Sequence, residues 1–275
     1  MKNKITIYLK RKRLQIIEHI IAKKRLILKS RKLSHKDSDN TRIICYGDSV
    51  TNATEIQKGK DFSTLLQDMI QENLVNNKIN KKKEYKKVKV VKEGIEGVTT
   101  YYGLKYLNKI YSYKPNIVFI NFFLNDIDVL DIKNNRIINK TDYRTLKKSM
   151  REIVRKIHKN LPNIKIIFWG PTSFTEKSYN KGLHIEKNSY FSKQLLIKQK
   201  NYVTKIKKII KEINRNLSNT QNKSKKKIYF CDIYNYFYEN RDKLISSDGI
   251  HPNEKGHKVI AKKLFEFIKK LDLIY

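Results

Sequence analysis

Short apolar runs alternate with helical patterns along most of this chain of 275 residues. Five runs read as strands, because each is short, rich in β-branched and aromatic residues and bounded by polar or turn-forming residues. These strand-like runs lie at 42–46, 87–92, 116–123, 163–169 and 227–234. Strands separated by helices require right-handed crossovers, so the pattern predicts a parallel sheet of about five strands with helices on both faces.

The segments between these runs carry apolar residues three and four positions apart, as amphipathic helices do. Four such sets are Phe62, Leu66 and Met69; Leu146, Met150, Ile153 and Ile157; Tyr202, Ile206, Ile209 and Ile213; and Ile260, Leu264, Phe267 and Leu271. With 39% hydrophobic residues, a chain of this length can bury one sizeable core. We therefore predict an α/β fold of three layers, in a domain spanning 41–275 that follows an extension at 1–40.

The extension at 1–40 is strongly basic, with clusters at 10–13, 23–25 and 30–32 and apolar residues at helical spacing between them. One interpretation is an amphipathic helix lying on an anionic membrane surface. The others are an extra helix that packs on the domain and a partly disordered leader. Charged residues interrupt every apolar run, and no secretory signal is evident, so we expect a cytoplasmic protein, with peripheral membrane contact through 1–40 as the alternative.

The formal net charge of +35 would attract polyanions. Lysine, asparagine, isoleucine and tyrosine are abundant together, as an A/T-rich coding sequence would make them, and the lysines are spread along the chain. We therefore expect no specific nucleic-acid partner, only non-specific adhesion at low salt. The two cysteines, Cys45 and Cys231, lie in strand-like runs without metal-ligand spacing, so we expect reduced core thiols, no metal site and no cofactor.

Chemistry-bearing residues follow the predicted strands at the edge where parallel sheets bind ligands. Ser49 follows the first strand, Gly97 the second, Asn125 the third and His251 the fifth. A serine at this edge is a candidate nucleophile, His251 a candidate base, and Asp248, three residues before it, a candidate orienting acid. The backbone N–H groups of Ser49 and Gly97 and the amide of Asn125 are candidate donors to an oxyanion.

These residues and their order resemble the SGNH, or GDSL-like, hydrolase superfamily. Ser49 stands in GDSV, Gly97 in a GxxGxTT pattern, Asn125 before an aspartate, and Asp248 and His251 in DGIHPN. The resemblance implies a flavodoxin-like α/β/α sandwich with a serine nucleophile, an Asp–His pair and three oxyanion donors at these positions. It also implies a cofactor-independent esterase that acts on small acyl or acetyl esters through an acyl-enzyme intermediate.

Two alternatives stay open beside the esterase. The first is a carbohydrate O-acetylesterase or acyltransferase of the same fold, acting on an acylated glycan. The second is an inactive basic protein that binds polyanions or anionic membrane, which is motivated by the net charge and by Phe123 at a position where the family usually has glycine. A phenylalanine at this position would reshape the acyl pocket or shift Asn125.

Four further side chains near the predicted edge have structural interpretations. Asp48 and Asp126 are expected to hold loops by hydrogen bonding, and Phe168 is expected in the core rather than in a substrate pocket. His257 is interpreted as a surface or supporting residue. The long connection at 170–200 is either a functional loop or a surface insertion.

Overall fold

A computed structural model describes residues 41–53, 55–78, 87–127, 129–131, 136–138, 141–175, 189–219 and 226–273. The predicted extension at 1–40 lies outside the described residues, as does the middle of the 170–200 connection. The predictions for these segments therefore stay predictions. Within the described residues, we find no helix with the length and hydrophobicity of a transmembrane span.

Five strands of the described chain form one parallel sheet in the order β2-β1-β3-β6-β7, and two more form an antiparallel hairpin. The strands are β1 (Thr41–Gly47), β2 (Val88–Gly94), β3 (Ile117–Asn121), β4 (Val129–Asp131), β5 (Arg136–Ile138), β6 (Lys165–Trp169) and β7 (Ile228–Cys231). The predicted α/β class with a parallel sheet of five strands is confirmed. The β4–β5 hairpin was not predicted, since its strands of three residues are too short for a periodic signal.

Helices connect the strands, and each of the four predicted helical patterns lies on a long helix, except that Leu271 follows the end of the last one. The helices are α1 (Ser49–Asn52), α2 (Phe62–Lys78), α3 (Thr100–Gly103), α4 (Asn108–Tyr111), α5 (Phe123–Asp126), α6 (Tyr143–Asn160), α7 (Ser189–Ser218), α8 (Tyr234–Leu244) and α9 (Glu254–Lys270). The chain moves from β1 to β2 in one direction and from β3 through β6 to β7 in the other. Right-handed crossovers therefore place α2 on one face of the sheet and α6 and α7 on the opposite face.

The core has two layers because the central strands are buried on both faces. Ile43 and Cys45 of β1 pack in the cluster that contains residues of α2, α8 and α9, whereas Ile44 and Tyr46 alternate with them and are also fully buried. This two-sided burial explains why the strands read as continuous apolar runs. Cys45 and Cys231 are free and buried, as expected of core thiols.

Two predicted strands end earlier than the apolar runs suggested, and the same local device ends both. The side chain of Asn121 accepts a hydrogen bond of 3.1 Å from the Phe123 amide, and Asp232 accepts one of 3.0 Å from the Tyr234 amide. Such turns by Asn and Asp direct the chain out of the strand. Tyr234 therefore begins α8, a helix that was not predicted and that lies in the chain between the fifth strand and His251.

Candidate active site

Ser49 lies at the first turn after the central strand β1. The Asp48 side chain caps the short helix α1 by accepting a hydrogen bond of 3.0 Å from the Val50 amide, so the chain turns sharply out of the sheet. Gly47 is required at the preceding position, since a Cβ there would collide with Thr51 and with the backbone of β3. The turn leaves Ser49 partly exposed at the carboxyl edge of the sheet.

The structure brings His251 and Asp248 to Ser49 from the far end of the chain. His251 Nε2 lies 2.9 Å from Ser49 Oγ, and His251 Nδ1 lies 2.5 Å from an Asp248 carboxylate oxygen. With Nδ1–H donating to Asp248, Nε2 is the nitrogen that accepts from the Ser49 hydroxyl. This chain of two hydrogen bonds can move a proton from the serine hydroxyl to the imidazole and stabilise the charge that forms there.

A hydrogen-bonded turn holds Asp248 in place. Its other oxygen, Oδ1, accepts from the Ser246 hydroxyl at 2.6 Å, the Ile250 amide at 2.8 Å and the His251 amide at 3.0 Å. Burial alone would raise the pKa of Asp248, but these hydrogen bonds outweigh it and hold the pKa at about 2. The carboxylate is therefore ionised at neutral pH and can orient the imidazole.

Three donors lie at the same edge of the sheet. Ser49 is the first residue of α1, so its backbone N–H has no acceptor within the helix. Gly97 follows β2 with a φ of +65°, a conformation that favours glycine, and its surroundings are open. Asn125 is on α5, and its side-chain nitrogen is buried without a hydrogen-bond partner among the described residues. A buried amide that lacks an acceptor is suited to an oxygen supplied by a ligand.

Asp126 connects the two loops that carry Gly97 and Asn125, in agreement with the expectation that it holds a loop by hydrogen bonding. Its buried carboxylate accepts from the backbone N–H of Thr100, at 3.1 and 3.2 Å to the two oxygens, and from the Thr100 hydroxyl. It also accepts from the Thr141 hydroxyl at 2.8 Å. Asp126 thus fixes the start of α3, three residues after Gly97, against the helix of Asn125.

Asp48 is fully buried directly beside Ser49. Burial raises the pKa of Asp48 to about 7, against the hydrogen bond from the Val50 amide. Its second oxygen, Oδ2, makes no direct hydrogen bond among the described residues, but the Asn125 side-chain amide is close enough to the carboxylate to oppose the rise in the pKa of Asp48. Asp48 therefore supports the turn, as expected, and its charge state changes close to neutral pH.

Phe123 faces the core and not the site. It is 1% exposed, and its ring centroid lies 6.0 Å from that of Phe168, which is itself fully buried. The phenylalanine therefore does not enter an acyl pocket, which was the concern raised by its place in the sequence. Trp169, at the end of β6, is also fully buried.

His257 is buried at 1% exposure, so its interpretation as a surface residue is wrong and the supporting role is the correct one. Its Nδ1 accepts a hydrogen bond of 3.1 Å from the Phe62 amide and thereby joins α9 to α2.

Glu55 is a site residue that the sequence analysis did not identify. Its carboxylate, the Asp248 carboxylate and the His251 imidazole have potential ligand atoms within 4.8 Å of one another. Asp248 and His251 already bond to each other, so a cation at this place would compete with that hydrogen bond. Glu55 is exposed in a loop after α1, where no periodic pattern could have indicated its position.

Three esterases of known structure share this fold. The psychrotrophic esterase EstA from Pseudoalteromonas sp., in a form inhibited by monoethylphosphonate, superposes with a TM-score of 0.55 and 16% identity, over 84% of this chain and 98% of that one. The family 3 carbohydrate esterase of Clostridium thermocellum gives 0.55 and 17% identity, over 86% and 97%. An acetyl-xylooligosaccharide esterase from Geobacillus gives 0.54 and 18% identity, over 85% and 96%.

No functionally curated protein matches the sequence. The family model for GDSL-like Lipase/Acylhydrolase, however, matches residues 43–264, from β1 into α9, and this range includes every residue of the hydrogen-bonded chain. The chain therefore belongs to the GDSL-like lipase and acylhydrolase family and is a serine-type esterase.

Proposed function

We propose that this esterase hydrolyses small acyl or acetyl esters through an acyl-enzyme intermediate on Ser49. The observation that carries the proposal is the hydrogen-bonded chain in which Ser49 Oγ lies 2.9 Å from His251 and His251 lies 2.5 Å from Asp248. A serine hydroxyl is a weak nucleophile at its free pKa, and a base at this distance activates it.

In the first half of the reaction, Ser49 Oγ attacks the ester carbonyl while its proton moves to His251 Nε2. Asp248 stabilises the imidazolium that results. The negative charge on the carbonyl oxygen is met by the N–H groups of Ser49 and Gly97 and by the amide of Asn125. The bond to the alcohol then breaks, and His251 returns the proton to the leaving oxygen, which releases the alcohol and leaves the acyl group on Ser49.

In the second half, His251 removes a proton from water, whose oxygen attacks the acyl carbon. The bond to Ser49 breaks, the proton passes from His251 to Ser49 Oγ, and the free acid leaves. Besides the ester and water, the steps use only side chains and backbone N–H groups of this chain.

Acetyl groups on carbohydrate are the ester class to test first. Two of the proteins with this fold are named as esterases of carbohydrate or of acetylated xylooligosaccharide. Identities of 17–18% support the fold and not the substrate, so this choice is part of the proposal.

The test is covalent labelling with a fluorophosphonate probe, read by intact mass, on the wild type, Ser49→Ala and His251→Ala. We expect a single adduct on the wild type and none on either variant, because the probe reacts only with an activated serine. Hydrolysis of p-nitrophenyl acetate should disappear together with the labelling.

Circular dichroism of each variant must match that of the wild type, so that lost reactivity reports chemistry and not unfolding. A folded wild-type protein that takes up no probe would contradict the proposal and favour the inactive binding protein. Labelling that persists in Ser49→Ala would assign the nucleophile elsewhere.

A further inference from the structure

The helices on the two faces of the sheet differ greatly in charge. Together, α6 and α7 carry fifteen Lys and Arg residues and two Asp and Glu residues. On the opposite side, α2, α8 and α9 share a core cluster and carry nine cations and six carboxylates. A compositional bias acts on the whole chain alike, so it does not by itself place positive charge on one face.

Some of the Lys and Arg side chains of α6 and α7 line a groove between these two helices. A cavity of about 510 Å³ is bordered by Lys147 and Arg151 of α6 and by Lys208, Lys211 and Arg215 of α7. The carboxylate in its lining, Glu212, accepts from Lys147 at 2.6 Å and from Arg151 at 3.3 Å. One carboxylate among five cations leaves an excess of positive charge in a concave site, where the electrostatic potential is concentrated.

A second cavity, of about 310 Å³, lies along the same two helices. Its lining includes Lys198 and Lys205 together with the polar side chains of Tyr143 and Asn201. We call the groove formed by both cavities the basic seam; its cations are Lys147, Arg151, Lys198, Lys205, Lys208, Lys211 and Arg215.

One end of the basic seam is connected to the candidate active site through the buried side chain of Asp126. Thr141 and Ile127 line the second cavity, and the Thr141 hydroxyl donates to Asp126 at 2.8 Å. Asp126 is the neighbour of the proposed oxyanion donor Asn125. Since α6 and α7 each lead from the carboxyl edge of the sheet to the start of the next strand, the seam extends away from the site along these helices.

We propose that the basic seam binds the anionic part of the ester substrate, and that this substrate is a glycan chain carrying carboxylate, sulfate or phosphate groups. The inference rests on the proposed esterase function and specifies its substrate class. A linear chain in the groove would continue to the carboxyl edge, where Ser49 lies. Lysine and arginine recognise these anions, and the hydroxyl and amide side chains nearest the site are suited to sugar hydroxyls.

A groove between two helices favours such a chain over a membrane, because a flat bilayer surface meets the outer rims of a cleft and not its interior. A nucleic acid would also satisfy the cations, but it does not supply the acyl or acetyl ester that the proposed reaction consumes. Both are therefore outcomes of the test.

The experiment compares two triple variants that lose the same net charge from opposite faces of the sheet. The seam variant combines Lys208→Gln, Lys211→Gln and Arg215→Gln, and the control variant combines Lys258→Gln, Lys269→Gln and Lys270→Gln on α9. All six side chains are exposed, and glutamine keeps a good helix propensity at each position. The substrates are partially O-acetylated polygalacturonate, acetylated xylan and p-nitrophenyl acetate.

For the wild type we expect a higher kcat/KM on acetylated polygalacturonate than on neutral xylan, and a loss of that preference as salt is added. In the seam variant, kcat/KM on acetylated polygalacturonate should fall by about ten-fold or more at low salt. The same variant should keep its activity on p-nitrophenyl acetate, and the control variant should keep both activities.

Equal losses in the two triple variants, or a wild type without preference for the anionic glycan, would overturn the inference and leave the esterase function intact. If p-nitrophenyl acetate is not hydrolysed and no probe is bound, the proposed function itself fails. In that case, calorimetry with unacetylated polygalacturonate tests whether the basic seam binds an anionic glycan. Undiminished binding by the seam variant would refute this binding. If the wild type binds single-stranded DNA or anionic vesicles more tightly than polygalacturonate, and the seam variant loses that binding, the assignment of a glycan to the basic seam is also refuted.

Discussion

At the residue scale, the proposed role of Asn125 as an oxyanion donor depends on the side chains around it. Its buried side-chain nitrogen makes no direct hydrogen bond within the part of the chain that the structure describes, and its neighbour Asp126 is held by Thr100 and Thr141. Leaving a buried donor without a good hydrogen bond costs about 1–3 kcal/mol, and an acceptor that arrives with the ligand would remove this cost. The proposed acceptor is the oxygen that becomes negative during attack by Ser49.

We predict that Asn125→Ala lowers kcat on p-nitrophenyl acetate by about 10²–10³-fold and leaves KM almost unchanged, because the lost hydrogen bond forms mainly in the transition state. Steady-state kinetics measure both constants. The matched control is Asn160→Ala at the last residue of α6, where the side chain donates to the Lys156 carbonyl and interacts with Tyr111. A variant whose KM rises while kcat stays constant would assign Asn125 to ground-state binding.

At the element scale, Asn253 connects the two helices between which His251 lies. Its side chain caps α9 by accepting from the Gly256 amide at 3.0 Å, and it donates to the carbonyls of Lys243 at 3.0 Å and Ile245 at 3.3 Å at the end of α8. The Asn253 side chain therefore closes the base of the Asp248–His251 loop together with the backbone hydrogen bonds from the Asn253 amide to Leu244 at 2.9 Å and from the Ser246 amide to His251 at 2.8 Å.

Asn253→Ala should lower the free energy of unfolding by about 1–2 kcal/mol, the typical cost of a lost N-cap, and should also lower kcat as the loop loosens. Urea unfolding and kinetics measure the two effects. Asn214→Ala serves as the comparison, since Asn214 makes two hydrogen bonds of 2.9 Å to the backbone of Ile228 far from the site. Asn214→Ala should lose stability and keep its kcat. A normal kcat in Asn253→Ala would show that the helix cap does not control the position of His251.

At the scale of the whole molecule, His257 links the helices α2 and α9 on one side of the sheet. Its Nδ1 accepts from the Phe62 amide, and its ring stacks on Phe62 with centroids 5.8 Å apart. Burial lowers the pKa of His257 to about 4. The unfolded chain, with an ordinary histidine pKa of about 6.5, therefore binds one more proton than the folded chain between these two values.

The stability that His257 contributes is complete above pH 6.5 and is lost as the pH falls toward 4. From pH 7 to pH 5, this group should cost the wild type about 2 kcal/mol of unfolding free energy. His257→Asn keeps an acceptor for the Phe62 amide without a titrating group, so its unfolding midpoint in urea should fall less over the same interval. Equal losses in the two proteins would show that His257 does not control this dependence.

Much of the architecture could be predicted because it depends on local patterns. Apolar runs and helical spacing locate the five sheet strands and the four long helices. The ends of β3 and β7 were placed too late, because the hydrogen bonds of Asn121 and Asp232 to the backbone override the apolar residues that follow. The site residues were proposed from their order along the chain, and the structure brings Ser49, Asp248 and His251 into one hydrogen-bonded chain.

The sequence by itself determined the parallel sheet and the kinds of side chain that follow its strands, since periodicity and turn chemistry act over a few residues. Only the tertiary structure decided that residues 202 positions apart meet at 2.9 Å, that Phe123 faces the core, and that positive charge gathers along α6 and α7. These features arise from crossovers that bring distant segments together, and the layer to which a helix belongs is not encoded in its own spacing.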